Sequence, residues 1–316
     1  MIRHNAPWSF ADFTLYVYCI TDDLLKQYFE HHPRPKRRGP APKCSDSEVI
    51  AMALIGECVG WDRETELLLW MTNFRDLFPN QLSQSRFNRR RRQLAGLTNE
   101  IRLLLLWHMN LALDGQCVID SVPVPVLQFY LTANSLASGA GKHWLRHKAA
   151  FGKATSRKQT FLGYKLQVLI TISGLILDFL LAPANVKDLD AGKELLSGHC
   201  NLTVVGDKAY LSAPVAEELL RSNHIRLLTE RRSNQREQLA PWKPPLLKHF
   251  RQMIETVNAQ LNRQFHIETN HAHTFQGLCA RLNAKLTAHT LCIYINQLLG
   301  EHNWLRIKHL PFRQLA

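Results

Sequence analysis

Two short apolar runs, each closed by an aspartate, constrain this chain more than any other feature. Cys117-Val-Ile-Asp120 and Leu202-Thr-Val-Val-Gly-Asp207 are short and rich in β-branched residues, so both read as buried strands. Aspartate is disfavoured in a strand and costly beside a core. Taken singly, either Asp could simply start a turn or cap a helix. Taken together, two carboxylates at strand ends of one sheet repel each other unless a cation lies between them. Magnesium suits such a place, because it takes oxygen ligands from one or two carboxylates and completes its shell with phosphate oxygens.

The surroundings of the two runs specify the fold class. Phe161–Ile172 and Leu175–Leu181 read as a hairpin turning at Ser173-Gly174. Asp188–Ser197 and Pro214–Ser222 read as helices, and Ile225–Thr229 as a further strand. Pro241–Pro245 breaks the chain, and Leu246 to about Leu299 is helical with an interruption near His266–Phe275. Strands alternating with helices imply an α/β domain, in which ligands bind outside the carboxyl ends of the strands. Val122, Val124 and Val126 continue the period of the first strand, but Pro123 and Pro125 withhold ladder donors. That strand is therefore expected to end near Asp120.

The first 110 or so residues show no strand pattern and read as helical. Ala11–Phe29 is one expected helix. Four prolines interleaved with basic residues make residues 31–43 a break. Ser45 and Glu48 then form a capping box ahead of an apolar run. Ser83–Leu94 has the pattern of a helix with Phe87 and Leu94 on one face and Arg86, Arg89, Arg90, Arg91 and Arg92 elsewhere. Those arginines fit either a DNA-contacting face or an ordinary solvated one. The expected division is a helical region at 1–110, an α/β domain at 111–300 and a tail at 301–316.

Charge narrows the partner. The 316 residues include 39 Lys and Arg against 26 Asp and Glu, a net +13 that suits a polyanion such as nucleic acid. Leu131–Thr160 has Lys142, Arg146, Lys148, Lys153, Arg157 and Lys158 with no acidic residue, and reads as an irregular, mobile, phosphate-facing loop. No apolar run is long enough to span a membrane. The seven cysteines are scattered without a C-x-x-C pair, which argues against a disulfide framework or structural zinc and fits reduced thiols in the cytoplasm. His271 and His273 lack spaced partners and read as loop histidines.

A third carboxylate is sought on the last long helices. Glu255 stands four residues after Arg251, on the same helix face, with Asn258, Asn262 and Arg263 one to two turns further on, where they could touch DNA. Glu268 is the competing candidate, nearer the expected interruption.

These residues carry a resemblance to the DDE transposases of bacterial insertion sequences. Val118-Ile-Asp120-Ser-Val-Pro-Val-Pro resembles the first-Asp strand of that family, and Phe161-Leu-Gly-Tyr-Lys-Leu-Gln-Val its second strand. Val205-Gly-Asp207-Lys-Ala-Tyr210 resembles the second-Asp motif, and Arg251-Gln-Met-Ile-Glu255 the Arg-x-x-x-Glu signature. Thr274-Phe-Gln-Gly277-Leu, Ser45-Asp-Ser-Glu48 and Ser85-Arg-Phe-Asn-Arg89 resemble the flanking regions, so the likeness runs from about Ser45 to Leu299. The chain departs from it at Lys248 and Asn262, where some relatives have Tyr and Lys, and at Asn185-Val-Lys-Asp188, where many have a His-Asp pair.

The resemblance implies a ribonuclease H-like mixed sheet flanked by helices, preceded by an all-helical N-terminal domain. It implies catalysis and metal binding by Asp120, Asp207 and Glu255 with two Mg²⁺ ions (or Mn²⁺), cleavage at the element's ends, and transfer of the 3′-hydroxyl to target DNA. Arg86, Arg89, Arg90, Lys142, Arg146, Lys153, Lys208, Arg251, Asn262 and Arg263 are the DNA contacts expected. The terminal inverted repeats and target DNA are the expected partners, with a homodimer in a synaptic complex, no membrane, and a cytoplasmic, nucleoid-associated location. A nuclease or resolvase on the same fold and a catalytically silent DNA-binding derivative are the alternatives.

Overall fold

The computed structural model describes residues 9–34, 39–110, 115–128, 139–154, 159–230, 243–269, 271–308 and 310–312, which fall into two compact units. The first unit joins the chain up to His108 with residues 263–266 and 271–316. Its helices are α1 (Phe10–His31), α2 (Asp46–Val59), α3 (Glu64–Met71), α4 (Gln84–Gln93), α5 (Ala95–His108) and α10 (Phe275–Leu298). The Ser45–Glu48 capping box starts α2 as expected, each partner satisfying a backbone donor that the first turn leaves open. α10 is buried on nearly all sides from Leu278 to Ile295, polar residues such as Lys285 and His289 included, because α5, α2 and α4 pack against it. It thus belongs with the N-terminal helices, outside the sheet unit into which the division at 111–300 had put it.

Charged side chains are also buried in this unit. Glu57 pairs with Arg91 and, at 2.8 Å, with Lys285. Glu64 lies 3.4 Å from Arg91, 3.7 Å from Arg281, and accepts from Asn88. Burial works to raise the Glu57 carboxyl, but Lys285 and Arg91 outweigh it and hold the group below its ordinary value.

The second unit is built on a mixed sheet. Its strands are β1 (Gln116–Gln128), β2 (Ala150–Ala154), β3 (Gln159–Thr171), β4 (Ile176–Pro183), β5 (Thr203–Gly206) and β6 (Arg226–Thr229). β3 pairs antiparallel with β1 along one edge, while its other edge is shared between β2 and β4. β5 adds parallel to β1, and β6 parallel to β5. The helices of this unit are α6 (Gly139–Arg146), α7 (Asp188–Leu196), α8 (Ala213–Asn223) and α9 (Lys243–Arg263). Ile119 and Leu169 of the sheet form a core with Leu195 and Leu196 of α7 and Leu219 of α8. The hairpin turns where expected, with Gly174 in the left-handed region at φ 84°.

Three sequence expectations are corrected here. β1 does not stop near Asp120 but runs on through both prolines to Gln128. Among the described residues its ladder with β5 ends at Val118, so beyond that point β1 pairs with β3 alone, and an edge position tolerates a residue without an N–H. Residues 139–154 are not an irregular loop. α6 is strongly amphipathic, burying Trp144 and exposing Lys142 and Arg146, and β2 fits close to the sheet because Gly152 leaves room for Ala184, 2.7 Å from where a Cβ would sit. Arg157 and Lys158 lie outside the described residues. Finally, Pro244 and Pro245 do not break the chain but lie in the first turn of α9, where a missing donor costs nothing.

Candidate active site

The parallel register of β1 and β5 brings the two aspartates together. Val118 pairs with Val205, so the same two-residue step along each strand leads to Asp120 and to Asp207. Side chains alternate along a strand, so both carboxylates leave the sheet on one face, opposite the α7–α8 core. Asp207 is held at the carboxyl end of β5 by a short 3₁₀ turn over Lys208–Tyr210, whose Ala209 N–H donates to Asp207 Oδ1 at 2.8 Å.

Asp120 is tied on both oxygens. Oδ1 accepts from the Ser121 N–H at 2.8 Å, and Oδ2 accepts from the Asn258 amide of α9 at 2.9 Å. Burial, with a further push from the Asp207 and Asp188 charges, raises the Asp120 carboxyl to about 6, against the lowering effects of the Ser121 N–H and Arg251. The amide oxygens of Asn258 and Asn262, one turn apart on α9, are buried and accept no hydrogen bond within the described protein.

A buried polar chain steadies the turn that carries Asp207. The Tyr210 hydroxyl donates to Gln167 Oε1 of β3 at 2.5 Å. Gln167 and Lys165 in turn donate to Asp188 Oδ1 at 3.0 and 2.8 Å. The Tyr210 ring lies against Gly192 of α7 and Gly206 of β5, and a Cβ on Gly192 would stand 2.6 Å from it. Burial, and then the Asp120, Asp188 and Asp207 charges, push the Tyr210 hydroxyl well above its ordinary pKa, so it stays a donor.

Glu255 stands apart from this pair. It lies three residues before Asn258 on α9, hence on the neighbouring surface of the helix, but its side chain is 61% exposed and rests 3.8 Å from Arg251. Among the described residues no three His, Cys, Asp or Glu side chains are grouped to hold one metal ion. The carboxylate oxygens of Asp120 and Asp207 nevertheless suit a hard divalent cation, which would offset both the burial of the Asp120 carboxylate and its repulsion by Asp207. Glu268 is half-buried beyond the end of α9, and His271 and His273 are exposed.

The expected DNA-contact residues divide by environment. Lys142, Arg146 and Lys153 are exposed on α6 and β2, and Lys208 is half-exposed next to Asp207. In the first unit Arg86, Arg89 and Arg263 are exposed, whereas Arg90 is mostly buried in a 2.6 Å ion pair with Asp46 and is not part of a free basic face. Gln167 and Glu230 were not singled out from sequence as parts of the site, and Asn258 was expected at DNA rather than on Asp120. A glutamine inside the β-forming run of β3 was the one signal available for Gln167.

Comparison with known families bears on the same segment. A family model described as a transposase DDE domain matches residues 115–274, which span Asp120, Asp207 and Glu255 and make up half of the chain. No curated protein and no solved structure matched. The chain belongs to the transposase DDE domain family.

Proposed function

We propose that this protein is a DNA transposase that cuts DNA at the ends of its element and joins the freed 3′-hydroxyl to target DNA, on a ribonuclease H-like catalytic domain. The observation that carries the reading is the register that sets Asp120 beside Asp207 on one face of the sheet, with the Asp120 carboxyl raised by burial and by its neighbour. The mixed sheet and the family membership support it.

Asp120 and Asp207, completed by Glu255, would hold two Mg²⁺ ions (or Mn²⁺). Such ions, when bound, favour ionisation of the attacking oxygen and balance charge on the leaving one. The remaining work falls to this chain's own groups. Asn258 orients Asp120 through Oδ2. Ala209 N–H and the Tyr210–Gln167 bond fix the turn that presents Asp207. Arg251 and Lys208 would grip backbone phosphates, with Asn262 further along α9. Lys142, Arg146 and Lys153 would track the duplex, and Arg86, Arg89 and Arg263 of the helical unit would contribute to reading the terminal inverted repeats. A homodimer would hold two ends in synapsis.

Alanine at Asp120, Asp207 or Glu255 should each abolish strand cleavage and joining of labelled element ends in Mg²⁺ while leaving binding of those ends intact. Cleavage that persists in any of the three would remove that carboxylate from the reaction. Products covalently joined to a target plasmid separate a transposase from a nuclease or resolvase of the same fold.

A further inference from the structure

A carboxylate outside the three already discussed occupies the cations beside them. Glu230 directly follows β6, so it stands at the same edge of the sheet as Asp207, which follows the adjacent β5. Its Oε1 lies 3.4 Å from Arg251 Nη1 and its Oε2 lies 3.8 Å from Lys208 Nζ, so one carboxylate bridges two cations from different elements. Arg251 also reaches Glu255 and lies near enough to Asp120 to lower its carboxyl. These are long contacts, beyond hydrogen-bonding distance or close to its limit, unlike the 2.8 Å bond from Lys165 to Asp188. The Glu230 side chain is 21% exposed, and those of Arg251 and Lys208 are 32% and 51% exposed. Loose pairs of this kind, reached by water, stabilise little and exchange readily.

We infer that Glu230 is a stand-in for a DNA phosphate: it occupies Lys208 and Arg251 in the DNA-free protein and gives them up to a backbone phosphate when DNA enters the site. A phosphate matches the carboxylate's role, since it offers several anionic oxygens that a guanidinium and an ammonium can share. Lys208 and Arg251 thus face an anion both before and after DNA enters, while the released Glu230 turns toward solvent. This role rests on the DNA-processing reading above.

The test uses the full chain and a fluorescent duplex oligonucleotide titrated at several salt concentrations. Glu230→Gln keeps the shape of the side chain and removes its charge. It should bind duplex about three- to tenfold more tightly than wild type at about 50 mM salt, with the log–log salt slope steeper by about one ion. Glu230→Asp, which keeps the charge, should stay close to wild type. Adding Lys208→Ala and Arg251→Ala to Glu230→Gln should cancel the gain. A purely structural Glu230 predicts weaker binding and a lowered melting temperature in the Gln variant. If wild type binds duplex and a folded Glu230→Gln binds no more tightly, the role of Glu230 is overturned while the transposase reading stands. If wild type binds no duplex under any of these conditions, both fail together.

Discussion

Asp120 shows how one residue can be costly to the fold and still be placed by it. Its carboxyl is raised to about 6, first by burial and then by Asp207 and Asp188. A carboxyl whose folded pKa lies above its unfolded one binds its proton more tightly when folded. Folding stability is therefore unaffected below about pH 4 and falls as pH rises from there through about 6. Asp120→Asn removes that charge and should be more stable than wild type at pH 7.5, by at most about 3 kcal/mol. The gap should close as pH approaches 4, as read from urea midpoints across pH. An unchanged gap would mean that the carboxyl is not strained by burial. Ionisation of Asp120 adds a second carboxylate charge beside Asp207, so on the metal-binding reading proposed above affinity for a divalent cation should fall as pH drops through about 6.

Among the elements, the joint between α7, β5 and the Asp207 turn leaves no spare room. Gly192 is a helical glycine, and alanine there would ordinarily stabilise a helix by about 0.5–1 kcal/mol. Here the added methyl would meet the buried Tyr210 ring at 2.6 Å. Overpacking of this kind costs about 1–3 kcal/mol and would pull the Tyr210 hydroxyl from Gln167. Gly192→Ala is therefore expected to lower the melting temperature and to slow strand cleavage, although it touches no carboxylate. A rise in melting temperature would show that the ring moves aside freely. The local signals of the elements themselves were legible in sequence: the capping box at Ser45, the turn at Gly174 and the apolar face of α4 all stand where expected. The course of β1 beyond Asp120 was not, because a proline's effect in a strand depends on whether a neighbour needs its donor.

At the scale of the molecule, the helical unit is held by a buried ionic cluster as well as by apolar packing. Lys285 is 1% exposed and bonds both Glu57 and the Phe265 carbonyl. Removing one partner of a buried pair strands the other, at about 3–5 kcal/mol. Lys285→Met should destabilise this unit by that order in denaturant titration. Glu57 is held below its ordinary pKa, so its contribution is present above that ordinary value and lost as pH falls through the lowered one. Lys285→Met should accordingly move acid unfolding to higher pH. An unchanged acid midpoint would show that Glu57 gains nothing from Lys285. Nothing in the local pattern around Lys285 marks it as buried, since its partner lies on α2, far away along the chain.

The sequence by itself determined most of the strands and helices, though not α6 and β2, the two aspartates that follow apolar strand runs, and enough family motifs to name a transposase-like domain. Those features are local: periodicity, caps, turns and short runs are decided by neighbours a few residues apart. Tertiary structure alone decided that Asn258 and not Glu255 touches Asp120, that Tyr210 and Gln167 brace Asp207, and that Glu230 stands between Lys208 and Arg251. It also decided which arginines of α4 turn inward, to Asp46, Glu57 and Glu64. Each of these depends on strand register or helix rotation, which follow from how whole faces pack together rather than from any short stretch of residues.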